Sequence, residues 1–388
     1  MQQNSILYSI FLIFSGAAAL STVALYTRQS LLVAYMLLGV LLGPWGFGLI
    51  GDASVVREIG DVGILFLMFL LGLNLQPQNL LHLFKKTVWT SVISSVVFAT
   101  IGFTIGRIFH FSVVESWIIG GAMMFSSTII GLKLLPTTIL HHQHTGEIMI
   151  SILLMQDLIA IIFLLIIHAS MGGLKLIHLG TVFLSLPILI VFAFLFERFV
   201  LLKLFARFDR VREYMFLLSI AWCLGVSELA NLIGLSREIG AFIAGVSIAS
   251  SPIALYISES LKPIRDFFLV MFFFAVGASF NLQFFPQVAV PSMLLALILL
   301  LIKPITFSLS LRSVKETRPV AWEVGVRLGQ SSEFSLLIAY LAASSSLITA
   351  TASNLIQAAT MITFVASSYI VVLRFPTPVA LSDRLRRD

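Results

Sequence analysis

Thirteen runs of about twenty mainly apolar residues follow one another along the chain. They lie at 6–26, 31–50, 55–75, 88–109, 114–135, 147–169, 176–197, 213–233, 238–257, 263–281, 288–311, 320–345 and 350–373. About twenty such residues are what one helix needs to cross the hydrocarbon core of a bilayer. Inside that core only helices or closed barrels satisfy every backbone polar group. The pattern predicts an all-α polytopic membrane protein with about 13 transmembrane helices. Charge content supports this. Charged residues make up 11% of the 388, against roughly 25% in a soluble domain. That is too few to give every surface helix a charged outer face. A soluble enzyme, a nucleic-acid-binding domain and a disordered chain are thereby excluded, and the partner implied is the lipid bilayer.

The net charge of +6 is read through topology, because cytoplasmic loops of membrane proteins are enriched in Lys and Arg. With thirteen spans the termini fall on opposite sides. Loops on the side of the C-terminus carry 18 Lys and Arg, and those on the other side carry 4. This predicts a cytoplasmic C-terminus, an external N-terminus and a place in the plasma or inner membrane. The first apolar run lacks a basic leader and reads as a retained span. Connections are short, so 1–388 reads as a single membrane domain, and the residues after Arg374 are too few for a soluble regulatory domain. Cys223 is the only cysteine. It excludes an intrachain disulfide and reads as a small core residue.

The chain also resembles itself. LFLMFLLGLNLQPQ from Leu65 is matched by LVMFFFAVGASFNLQFFPQ from Leu269. One offset of 205 residues maps Gly72 onto Gly277 and Ser126 onto Ser331. The copies, at about 31–169 and 238–373, begin seven spans apart, so they cross the membrane in opposite senses. Inverted repeats of this kind are typical of secondary transporters, whose sites lie near the midplane where helices are interrupted. Spans 5 and 12 are the expected interruptions. Span 5 holds Gly120, Gly121, Ser126, Ser127, Thr128 and Gly131; span 12 holds Gly325, Gly329, Gln330, Ser331, Ser332 and Glu333. Freed carbonyls and hydroxyls there are oxygen ligands for a monovalent cation.

Ionisable residues within a span are functional hypotheses by default. Asp157 lies mid-span in ILLMQDLIAIIFLL, with no basic residue within ten positions on either side. Its compensation must come from another helix, an ion or a proton, as expected of a group that binds a proton at one moment and a cation at another. Gln156 beside it can hydrogen-bond but carries no charge. Lys303 lies late in LALILLLIKPITF, about 12 Å from the span end, with Asp157 or Glu333 as partners to consider. Arg327 and Glu333 flank the GQSS segment and share a face only if the helix unwinds between them. The tract His141, His142 and His144 reads as a solvated or pH-sensing loop. Phosphate loops, HExxH and GxSxG are missing, so no enzyme constellation and no cofactor is expected, nor any metal beyond a transported cation.

These segments resemble the membrane domain of the Kef-type potassium efflux antiporters, in the second branch of the monovalent cation:proton antiporter superfamily. The matching stretches are Tyr35–Gly46, Asp61–Leu75, Ser126–Ile130, Leu154–Ile161, Leu235–Ala249, Pro263–Leu282 and Leu328–Phe334, in the family's order. The resemblance implies a thirteen-span sodium/proton antiporter-like fold, with spans 5 and 12 as two crossed, partly unwound helices. It implies a homodimer with a mobile core that works as an elevator. It assigns Asp157 as the cation- and proton-binding carboxylate, and the order Gln156-Asp157 is similar to potassium-type members. Asn74 and Asn281 stand where the family often has acids. The family's soluble nucleotide-binding domain does not follow, so a separate regulatory subunit is one possibility. The expected activity is electroneutral exchange of potassium for protons. Sodium/proton exchange, a gated cation channel and a transport-inactive membrane sensor stay open at this point.

Overall fold

The structure, a computed structural model, describes residues 6–27, 29, 31–50, 54–74, 77–133, 144–171, 176–208, 210–235 and 237–376. His141 and His142 lie outside them. Among the described residues every regular element is a helix. In chain order these are α1 (Ile6–Tyr26), α2 (Leu31–Leu42), α3 (Ser54–Asn74), α4 (Pro77–Ile108), α5 (Val113–Met123), α6 (Thr128–Lys133), α7 (His144–Met171) and α8 (Leu176–Phe196). A π turn (Glu197–Leu201) joins α8 to α9 (Leu202–Arg207). There follow α10 (Arg212–Leu232), α11 (Arg237–Ile248) and α12 (Ala254–Ser279). A short 3-10 turn (Leu282–Phe284) leads into α13 (Phe285–Ser313), and α14 (Arg318–Arg327), α15 (Glu333–Ser344) and α16 (Ala350–Arg374) complete the set. Among the described residues six helical stretches are long and apolar enough to cross a membrane, and α2, α5 and α15 are shorter apolar helices.

Several boundaries differ from the apolar runs. The run at 31–50 stays helical only to Leu42, because Gly43-Pro44 opens a turn. The run at 238–257 stops at Ile248, and the chain turns through Ser250, Ser251 and Pro252. Helix α12 then starts at Ala254 and runs through Pro263, which sequence alone placed at a span's start. A proline removes one backbone donor, and a long, well-packed helix can absorb that loss.

The chain divides into two compact units, each drawing on both halves of the sequence. One comprises 1–53, 83–160 and 273–388. In it α13 packs against α14 and α16, and α5 against α15 and α16. Its helices approach closely at glycines. A Cβ on Gly277 would lie 2.0 Å from the Met36 carbonyl oxygen, and one on Gly39 2.1 Å from that of Phe274. The other unit comprises 54–82 and 161–272, with α11 packed on α3, α8 and α10. There a Cβ on Gly72 would lie 2.4 Å from the Phe242 carbonyl oxygen, and one on Gly245 2.1 Å from that of Phe69. Small residues at such crossings are how apolar helices gain packing contact where no hydrophobic drive brings them together. Cys223 is fully buried in this second unit.

Candidate functional site

Two helices are broken within the first unit. The chain leaves helix geometry between Met123 and Thr128, and again between Arg327 and Glu333. Both breaks fall on the Gly/Ser clusters that marked spans 5 and 12, where small residues and hydroxyls offer the backbone alternatives to helical bonds. The breaks are stitched together. Ser126 Oγ donates to the Leu328 carbonyl (2.8 Å), Gln330 Nε2 reaches the Ser127 carbonyl (3.5 Å), and Ser335 Oγ donates to the Ala122 carbonyl. Ser331 Oγ lies 3.8 Å from Met123 Sδ.

The first break is held by the helix that carries Asp157. Gln156 Oε1 accepts from the Ser126 N–H (3.0 Å), while its Nε2 points at the Met124 carbonyl (3.4 Å). Ser127 Oγ caps the following turn by accepting from the Ile130 N–H (3.0 Å). The second break has a matching tie from α16. Thr363 Oγ1 accepts from the Ser331 N–H (3.0 Å), and Ser367 Oγ donates to Gln330 Oε1 (2.9 Å). Ser332 caps α15, accepting from the Phe334 N–H (3.1 Å).

Lys303 joins the two breaks. Its side chain is fully buried, and Nζ donates to the Phe125 carbonyl (2.6 Å) and the Gln330 carbonyl (3.0 Å), with the Phe98 ring centroid at 4.9 Å. Its hydrogen bonds therefore go to backbone oxygens, not to the Asp157 or Glu333 carboxylates considered from sequence. The physical reason is local. Both carbonyls lie just beyond the C-terminal ends of α5 and α14, where unsatisfied carbonyls and the helix dipole concentrate negative charge. An ammonium is the natural complement there. Glu333, the first residue of α15, sits at an N-terminal end and complements the opposite pole.

Asp157 is 2% exposed, and its Oδ2 has no hydrogen-bond partner among the described residues. The Glu333 carboxyl and the Thr128 hydroxyl lie within electrostatic reach of it. Arg327 closes α14 at the edge of the second break. Its guanidinium holds Glu323 one turn back (2.9 Å) and the Pro376 carbonyl (2.9 Å), and it stacks over Phe375. His144 is exposed and pairs with Glu316 at 2.9 Å. Among the described residues no three His, Cys, Asp or Glu side chains cluster as metal ligands.

Of the residues singled out from sequence, Ser126, Ser127, Thr128, Gln156, Asp157, Lys303, Gln330, Ser331, Ser332 and Glu333 gather around the two breaks. Phe98, Thr363 and Ser367 were missed. A signal existed for each. Phe98 precedes Lys303 by the 205-residue offset, and Ser353, Gln357, Thr360, Thr363 and Ser367 recur at helical spacing along α16.

Two hydrogen-bonded helix breaks beside a buried carboxylate give this apolar helical protein an oxygen-lined interior. Comparison with known proteins agrees. The family model described as sodium/hydrogen exchanger, transmembrane, matches residues 10–373, and the chain belongs to that family. It is a multi-pass membrane cation:proton antiporter, as are its relatives of that family. It is 27% identical over 344 residues to the iron transporter MagA of Paramagnetospirillum magneticum, covering 88% of this chain and 79% of that one. It is 25% identical over 367 residues to K(+) efflux antiporter 4 of Arabidopsis thaliana, covering 92% of this chain but only 62% of that longer protein. Its fold is similar to that of the sodium proton antiporter MjNhaP1 from Methanocaldococcus jannaschii. That match has a TM-score of 0.73 at 15% identity, covering 93% of this chain and 94% of the other.

Proposed function

We propose that the protein exchanges potassium for protons, one for one, as a Kef-type antiporter, with Asp157 as the group that binds either ion. The carrying observation is that Lys303 is tied to two backbone carbonyls while an oxygen of the buried Asp157 is left without a partner. A carboxylate in an apolar interior must be neutralised, and here the ammonium is engaged elsewhere. Neutralisation then falls to a proton or to the transported cation, and the two compete for one site. Each lowers the affinity for the other by the same factor. Site movement with Asp157 bare is penalised by its desolvation, which couples the fluxes without ATP.

Thr128, Ser126, Ser127 and the carbonyls of the first break, with Gln156 orienting that backbone, supply hard oxygen donors suited to an alkali cation. Gln330, Ser331, Ser332, Glu333 and Arg327 shape the second half of the site. The donor set is oxygen and not imidazole or thiolate, which favours an alkali cation over the iron of one relative's name. The Gln156-Asp157 order and the potassium efflux relative support the reading of potassium ahead of sodium. The matched glycine approaches support the inverted repeat, because Gly277 on Met36 and Gly72 on Phe242 use corresponding positions of the two copies. The full proposal is a thirteen-span homodimer with a crossed pair of broken helices. It works as an elevator, with its C-terminus in the cytoplasm and a separate regulatory subunit as its regulatory partner.

The test is pH-gradient dissipation in proteoliposomes given potassium, sodium or lithium in turn. Dissipation by potassium, insensitive to membrane voltage and lost in Asp157→Asn, is the expected result. An equal response to sodium would move the protein to sodium/proton exchange, and conductance uncoupled from protons would make it a channel.

A further inference from the structure

Helix α4 carries a row of buried hydroxyls that the exchange site does not use. Thr90, Ser91 and Ser94 are fully buried, and Ser95 is 4% exposed. They occupy two successive turns of one face, Thr90 above Ser94 and Ser91 above Ser95. Hydroxyls in apolar helices ordinarily donate to the carbonyl of the preceding turn. On this same helix Thr100 donates to the Val96 carbonyl (2.8 Å), Thr104 to the Thr100 carbonyl (2.7 Å) and Ser94 to the Ser91 carbonyl (3.0 Å). Thr90, Ser91 and Ser95 do not, and their hydroxyls have no hydrogen-bond partner among the described residues. A buried hydroxyl left unpaired costs about 1–3 kcal/mol. Three neighbours forgo the available bond on one face, which points to an occupant that satisfies them.

The row also leads somewhere. Phe98 lies one turn beyond Ser94 and Ser95, is fully buried, and presents its ring to the Lys303 ammonium at 4.9 Å. From Thr90 to Phe98 the helix rises about 12 Å. Cβ atoms four residues apart on a helix are about 5–6 Å apart, a gap that one water bridges with two ordinary hydrogen bonds.

We propose that this face of α4 binds a file of ordered waters, bridging Thr90 to Ser94 and Ser91 to Ser95, that carries protons along the row from Thr90 toward the two-break site. Each buried water needs two to four polar partners, and the hydroxyls supply them. The Thr90, Ser91 and Ser95 hydroxyls and the waters each accept one hydrogen and pass one on, while Ser94, whose hydrogen is held by the Ser91 carbonyl, only accepts, so none is consumed. The proton comes from the aqueous phase and ends on Asp157, or makes the reverse journey. This route rests on the reading of Asp157 as the proton-binding group.

The experiment uses the full chain. Ser91→Ala combined with Ser95→Ala should slow potassium-driven proton exchange in proteoliposomes at least about tenfold, a barrier rise of about 1.4 kcal/mol. The apparent KM for potassium should stay unchanged, and Tm should not rise. Wild-type exchange in that variant, or a Tm increase from removing dry unpaired hydroxyls, would overturn the proposal. A map of the unmodified protein that resolves water is the second readout. Water density between the paired hydroxyls is expected, and dry space there would also overturn it. Failure of the exchanger reading shows separately, as absent exchange in the unmodified protein, and the map then decides the water file.

Discussion

Lys303 donates through one ammonium to the carbonyls of Phe125 (2.6 Å) and Gln330 (3.0 Å), which are 205 residues apart. The same offset separates Lys303 from Phe98, the ring beneath it. A single side chain thus bonds the corresponding carbonyls of the two broken helices. Replacing it with Met keeps the length and removes both charge-assisted bonds. Each such bond contributes about 1.5–3 kcal/mol, and two buried carbonyls lose their donor. Lys303→Met should lower Tm by several degrees and impair exchange. An unchanged Tm would show that the carbonyls find other donors and that Lys303 does not hold the breaks together.

Asp157 should behave in the opposite way. Asn keeps the shape of the buried side chain without its charge. Asp157→Asn is expected to abolish exchange while Tm holds or rises. A loss of folded protein would reveal a structural role in place of an ion-binding one.

Gln156 ties both the N–H of Ser126 and the carbonyl of Met124. Gln156→Leu removes both bonds and leaves the buried Ser126 N–H unpaired, at a cost of about 1–3 kcal/mol. The expected outcome is a lower Tm together with a raised KM for the cation, since the amide orients the oxygens of the break. A changed Tm with an unaltered KM would confine Gln156 to packing.

The glycine approaches give a paired test. Gly277→Ala would push a Cβ to 2.0 Å from the Met36 carbonyl, and Gly72→Ala one to 2.4 Å from that of Phe242. Both should fold poorly or lose several degrees of Tm. Gly225, on α10, has nothing within 4 Å of a built Cβ. Gly225→Ala should be neutral or stabilising by up to about 1 kcal/mol from helix propensity. Equal effects at all three sites would contradict the close packing.

Much of this was legible in the sequence, for physical reasons. Long apolar runs located the helices because lipid permits few alternatives. The clusters at Ser126–Thr128 and Gln330–Ser332 located the breaks because hydroxyl and glycine chemistry releases backbone from the helix. Asp157 stood out because no basic residue lay near it. Other features left no trace. Lys303 was expected to meet a carboxylate, but a backbone carbonyl has no letter in the sequence, and every residue carries one. The helix through Pro263 was hidden because proline weakens a helix without always ending it. The file of hydroxyls on α4 looks like ordinary helix-packing serine until the missing back-bonds are seen.

The central claim is that one carboxylate holds either a proton or a cation. Proton release on adding potassium to the purified protein in weakly buffered detergent tests it most directly. Competition predicts that potassium displaces protons from the wild-type protein, that the potassium needed grows as pH falls, and that Asp157→Asn releases none. Potassium binding without proton release, or equal release from Asp157→Asn, would contradict it.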